Sequence, residues 1–208
     1  MEDLETENWK NIYKTDGWRT NHRVFGQVTQ LAYEFGSDPL EHLDYIPEGF
    51  LFEAEIPSFT IPSHIKSIGD YAFYNCKNIT EISIPDSVVT IGELAFMGCE
   101  SLEIVEFGQN TQNIGKKAFT DCKKLRDVKL TDSVQRIEDN AFDSCAMDKI
   151  TIPKGMTFLG DYVFKDCGQL STVVFEKIPD TVKSPFHGCN GILKVYVPDL
   201  WSWMNAGW

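Results

Sequence analysis

Six cysteines offer this 208-residue chain its most obvious chemistry: Cys76, Cys99, Cys122, Cys145, Cys167 and Cys189. Structural zinc is held by thiols two to four residues apart in paired sets, or combined with His-x₃₋₅-His. Here no two thiols come closer than 22 residues; the steps are 23, 23, 23, 22 and 22. Such spacing is a period, not a ligand set. Stacked turn on turn, neighbouring thiols would lie about one strand spacing apart with nearly parallel Cα–Cβ vectors, whereas a disulfide needs its Cβ atoms about 3.8 Å apart and turned together. The expectation is six reduced cysteines that pack as small hydrophobes, with no metal and no cofactor. Reduced thiols agree with a cytoplasmic address, as does a start, "MEDLETENWK", in which no secretory signal is visible; the alternative is a surface or secreted protein whose leader has been trimmed.

Other reactive residue types are sparse. His64 and His187 stand at variable positions of the period, and His22 and His42 lie near the N-terminus with no matched nucleophile or second ligand. An enzyme built on His22 or His42 therefore has no supporting motif. "GQNTQNIGKKA" resembles a phosphate loop, but six residues separate Gly108 from Gly115, and a second Lys follows Lys116 where Ser or Thr is needed. Asn78 opens an Asn-Ile-Thr sequon, which without a secretory signal implies no glycan.

Net charge is −12, and phosphate-backbone binding depends on clustered Lys and Arg, so direct nucleic-acid binding is disfavoured. No stretch approaches the roughly 18 apolar residues of a membrane span. The charge is uneven: residues 1–55 carry −8 and the remaining 153 carry −4, a step that marks a boundary near residues 45–55.

The elements that must position the thiols repeat with them. Phe73, Phe96, Phe119, Phe142, Phe164 and Phe186 each stand three residues before a cysteine. Ile82/Ile84, Val105/Phe107, Val128/Leu130, Ile150/Ile152, Val173/Phe175 and Val195/Val197 alternate with variable residues, the period of a half-buried strand. Return segments such as "SIG", "TIG" and "NIG" add one apolar residue and a turn. No unit can bury these residues alone, but stacked units would pair their strands in parallel and join the apolar columns into one core. A weaker copy runs from Ile46 to Pro62, with Leu51 in the phenylalanine position and Ala54 in the thiol position.

The unit at residues 79–99, Ile-x-x-Ile-x-Ile-Pro-x-Ser-Val-x-x-Ile-Gly-x-x-Ala-Phe-x-x-Cys, resembles the BspA-like (Treponema-type) leucine-rich repeat. The resemblance covers about residues 46–200. Local departures are Glu138 in place of the return glycine, "TDSV" without proline at residues 131–134, and "KIPDTVKSPF" before Cys189. It implies an α/β repeat fold: a leucine-rich-repeat solenoid with one short parallel strand per turn of 22–23 residues. It also implies proteins that bind other macromolecules, many on bacterial or protist surfaces and some encoded by viruses, and no catalysis.

Three segments follow. Residues 1–45 form an acidic leader, expected to be a small helical cap from apolar spacing at Leu4, Trp9, Ile12 and Tyr13, then at Val24, Val28, Leu31 and Phe35, with a Pro39-led start in "SDPLEHLDY". Residues 46–191 form six to seven turns. Residues 192–208 add a last strand and an aromatic tail, where Trp201, Trp203 and Trp208 could anchor a partner but are better read as an end cap.

A non-enzymatic scaffold binding a protein through its concave strand face, its acidic leader or both is the expected function. Candidate contact residues are the outward strand positions Glu81, Glu106, Asp127, Lys129, Lys149, Thr151, Val174, Lys194 and Tyr196. The alternative is an acidic, possibly virus-encoded, inhibitor that blocks a basic nucleic-acid-binding surface of a host protein.

Overall fold

The computed structural model describes residues 39–192 and 194–205. His22, Trp208 and nearly all of the expected helical leader lie outside the described residues. Of that leader's last expected helix, the structure shows one three-residue 3₁₀ turn, Pro39–Glu41. His64 Nε2–H donates to the Leu40 carbonyl at 2.7 Å, tying this turn to the first repeat.

Each full repeat forms one turn of backbone with two extended segments rather than the single strand expected, whereas the weaker first copy has no strand at Phe59 and Ile61. The return segments pair in one seven-stranded parallel sheet: β1 (Tyr45–Ile46), β2 (Ser67–Ile68), β4 (Thr90–Ile91), β6 (Asn113–Ile114), β8 (Arg136–Ile137), β10 (Phe158–Leu159) and β12 (Thr181–Val182). The longer strands form two three-stranded parallel sheets. One holds β3 (Glu81–Ser83), β5 (Ile104–Glu106) and β7 (Asp127–Lys129), and the other β9 (Lys149–Ile152), β11 (Thr172–Phe175) and β13 (Lys194–Tyr196). A constant step explains both ladders: any extended stretch meets its own copy one turn away in register, as Ile82 meets Val105 and Ile91 meets Ile114.

A third column of hydrogen bonds runs through the turns that carry the phenylalanines and thiols. In one interface the N–H groups of Tyr71, Phe73 and Asn75 donate to the carbonyls of Glu93, Ala95 and Met97 at 2.9, 2.7 and 2.7 Å. Tyr71 and Asn75 have φ of 57° and 55°, and this left-handed conformation costs roughly 1–2 kcal/mol per non-glycine residue. The same two positions recur as Leu94 and Gly98, Lys117 and Asp121, Asn140 and Ser144, and Tyr162 and Asp166. The left-handed residues turn alternate N–H groups along the stack axis while those between them donate within their own turn, so each turn satisfies the next and the strain is offset by hydrogen bonds that a helical turn could not make.

Between these columns lies one continuous core. Phe73, Phe96, Phe119, Phe142 and Phe164 are fully buried. Their rings and that of Phe186 form an offset stack, with centroids 4.8–5.8 Å apart and planes within 10° of parallel. The outermost strand departs from expectation: Val195, predicted to face inward, is 41% exposed. It sits on β13, which ends its sheet and has a neighbour on one side only.

Candidate functional site

The cysteines occupy the inner corner of each turn. All six thiols are free; five are buried and Cys189 is partly exposed. Each Sγ–H donates to a carbonyl of the preceding turn: Cys99 to Phe73 at 3.2 Å, Cys122 to Phe96 at 3.2 Å, Cys145 to Phe119 at 3.3 Å, Cys167 to Phe142 at 3.1 Å and Cys189 to Phe164 at 2.8 Å. Cys76 donates to Leu51 at 2.9 Å, so Leu51 holds the phenylalanine position of the degenerate first copy. Burial pushes the Cys76 and Cys167 thiols up to about 12 and those of Cys99, Cys122 and Cys145 well above the usual thiol range. A thiol held protonated and out of solvent is a poor nucleophile. Among the described residues no group of three His, Cys, Asp or Glu side chains is placed to hold a metal ion.

The described histidines are dispersed. His42, His64 and His187 are all exposed, and His187 lies edge-on to Tyr162 with ring centroids 5.4 Å apart. In the tail, helix α1 (Leu200–Asn205) divides its tryptophans: Trp203 packs against Phe175 at 5.4 Å, whereas Trp201 is 77% exposed. No described helix is long and apolar enough to cross a membrane.

The nine outward strand residues fall on two sheets that do not pair with each other. Glu81, Glu106, Asp127 and Lys129 lie on β3, β5 and β7, and Lys149, Thr151, Val174, Lys194 and Tyr196 on β9, β11 and β13. Thr151, Val174 and Asp127 are half-buried and the rest exposed. Four of the nine, Asp127, Lys129, Lys149 and Thr151, converge on a groove of about 750 Å³ where the ladder is interrupted between β7 and β9.

The interruption has a one-residue cause. Each cysteine stands three positions before the apolar residue that enters the strand, as Cys122 before Leu125 or Cys167 before Leu170, but Cys145 stands only two before Met147. Shortening this corner draws Ala146 under the previous turn, where its N–H donates to the Leu125 carbonyl at 2.9 Å, and the strand that follows leaves the ladder. The core is slightly opened there. Val128 is 9% exposed where its neighbours Val105 and Ile150 are 0% and 1%, and Leu130 is only partly buried.

Val128, Leu130 and Ala146 line the groove together with charged side chains. Arg126 is held by Glu103, and Lys129 by Asp127 at 3.4 Å. The 23-23-23-22-22 beat signals that residues are missing, but it does not locate them. Arg126, Asp148 and Gln169, which complete the lining, escape a sequence search confined to strand positions because they stand in corners. The Cys145–Met147 interval was the signal for them.

Comparisons with known proteins follow the same lines. The profile of the BspA type leucine rich repeat region matches in six copies, over residues 44–171 and 90–203. A leucine-rich repeat protein of T. pallidum has a similar structure, with a TM-score of 0.67 over 79% of this chain and 88% of that one, at 24% identity. A leucine-rich repeat protein from Bacteroides ovatus is 32% identical with a TM-score of 0.59, and the alignment covers 74% of this chain but 39% of that protein. A leucine rich cell surface protein from Faecalibacterium prausnitzii is 28% identical with a TM-score of 0.50, covering 65% of this chain and 44% of that one. No curated protein matches the chain.

Proposed function

The chain belongs to the BspA type leucine-rich repeat family, and from that premise we propose that it is a scaffold that recognises another protein through the face formed by β3, β5, β7, β9, β11 and β13. The observation that carries this reading is the groove on that face, lined by both apolar and charged side chains. Repeat proteins of this kind present one row of side chains from each turn, so a partner spanning several turns gathers many modest contacts on a rigid surface. The return sheet offers less, because its strands are only two residues long.

Two sets of full-length variants test the reading when used as parallel baits with one lysate. Lys129→Glu and Tyr196→Ala alter the strand face, and Lys66→Glu and Gln112→Arg alter other parts of the surface. A partner lost with the first set and kept with the second supports the proposal. A partner lost only with the second set refutes it.

A further inference from the structure

We infer that the break between β7 and β9 is the recognition site itself, and that it takes an extended acidic segment of the partner protein. This rests on the scaffold reading and specifies it. The segment would seat an apolar side chain on Val128 and Leu130 and place a carboxylate on Lys149.

Charge selects the occupant. The whole chain carries −12, yet the groove's charged lining, Arg126, Lys129 and Lys149 against Asp127 and Asp148, sums to +1. Arg126 and Lys129 already have carboxylate partners, and no described carboxylate pairs with Lys149. From the groove toward the C-terminal end, the outward positions of β9, β11 and β13 are Lys149, Thr151, Thr172, Val174, Lys194 and Tyr196. That surface contains two cations and no anion, whereas the equivalent positions of β3 and β5 are Glu81, Ser83, Ile104 and Glu106. An acidic segment entering at the groove would meet attraction along the C-terminal sheet and repulsion along the N-terminal one, which fixes its direction of travel.

Shape selects an extended chain. Where a ladder runs unbroken, neighbouring strands cover the edges of the core residues between them. Here the lost corner residue leaves Val128, Leu130 and Ala146 lining the gap between two strand edges, and an extended peptide can place alternate side chains down toward them and out toward the charged residues.

The test uses the full chain and two fluorescein-labelled heptapeptides, acetyl-Glu-Leu-Glu-Leu-Glu-Leu-Glu and its Lys-Leu counterpart, followed by fluorescence anisotropy. We expect the acidic peptide to bind at least tenfold more tightly than the basic one. Lys149→Glu should weaken it at least tenfold. A second variant inserts one lysine between Ala146 and Met147, restoring the three-residue corner. It should rejoin the ladder, keep the fold by circular dichroism and lose the peptide. No binding of the acidic peptide at millimolar concentration, equal binding of both peptides, or binding unchanged by Lys149→Glu would each overturn the inference. Undiminished binding to a folded insertion variant would do the same. Because Lys149→Glu leaves the backbone count unchanged, the test stands even if the insertion prevents folding. A partner that depends on Tyr196 but not on Lys149 would overturn this site and leave the scaffold reading intact.

Discussion

The thiol of Cys122 and the N–H of Cys99 donate to the same oxygen, the carbonyl of Phe96, each at 3.2 Å. That carbonyl sits between two turns and is satisfied from both sides. Removing the thiol therefore leaves it with one partner. Cys122→Ala should cost about 1 kcal/mol, the net worth of one hydrogen bond, and Cys122→Leu should cost more by overpacking the corner. Urea denaturation of the three proteins checks the order.

Alkali should unfold the protein through these corners. Burial raises the thiol pKa in the folded state, to about 12 at Cys76 and Cys167, while an unfolded thiol titrates near about 8.5. Above that pH the unfolded chain releases protons that the folded chain keeps, so stability falls as pH rises, by about 1.4 kcal/mol per pH unit for each such thiol. The thiol contribution is fully present below about pH 8.5 and lost progressively toward pH 12. Melting temperature followed from pH 8 to 11 should fall less steeply in a Cys76→Ala, Cys167→Ala double variant than in the parent.

Thiol reagents should find the end of the stack first. Cys189 is partly exposed and the other five are buried. At pH 8 a disulfide-exchange reagent should label Cys189 in the folded protein and the remainder only on unfolding. Mass spectrometry of a partly labelled sample would show it, and early labelling of Cys122 would contradict the packing described above.

Position in the phenylalanine stack should set the cost of truncation. Phe119 is sandwiched between Phe96 and Phe142 at 5.0 and 5.2 Å, and Phe119→Ala should cost about 3–5 kcal/mol. Phe186 is only partly buried, so Phe186→Ala should cost less than half as much.

Asp143 is nearly buried and accepts hydrogen bonds from Asn140 Nδ2, Ser144 Oγ and Lys165 Nζ at 3.2, 2.8 and 3.3 Å. Asp143→Ala should destabilise by about 2–3 kcal/mol, given the strength of hydrogen bonds to a charged acceptor. Lys165→Met leaves Asp143 its Asn140 and Ser144 donors and should cost less. Thermal unfolding of both variants makes the comparison.

What the sequence displays is what the repeat multiplies. Phe119 and Cys122 are legible because five other pairs stand at the same spacing, and burial of both follows from stacking alone. The return ladder is not legible, because a two-residue strand such as Thr90–Ile91 is too short to show alternation. Nor is the left-handed conformation of Leu94 or Lys117, which the neighbouring turns impose on residues that would not choose it. The groove hides for a different reason: the distance from one cysteine to the next counts a missing residue without saying which corner lost it, and only the Cys145–Met147 interval does.

That lost residue also has a mechanical consequence. Each turn of a solenoid touches only its neighbours, so bending stiffness is set interface by interface. Between β7 and β9 the turns are joined by the return ladder, through β8, and by the turn carrying Asp121 and Asp143, but not by the strand ladder. In mid-stack the turns are thus bound along their spine and unbound along their fore-edge, like a book that falls open at a particular page. Twisting or flexing of the protein will concentrate there, and amide hydrogens of Lys149 and Thr151 will exchange before those of Val105 and Val173.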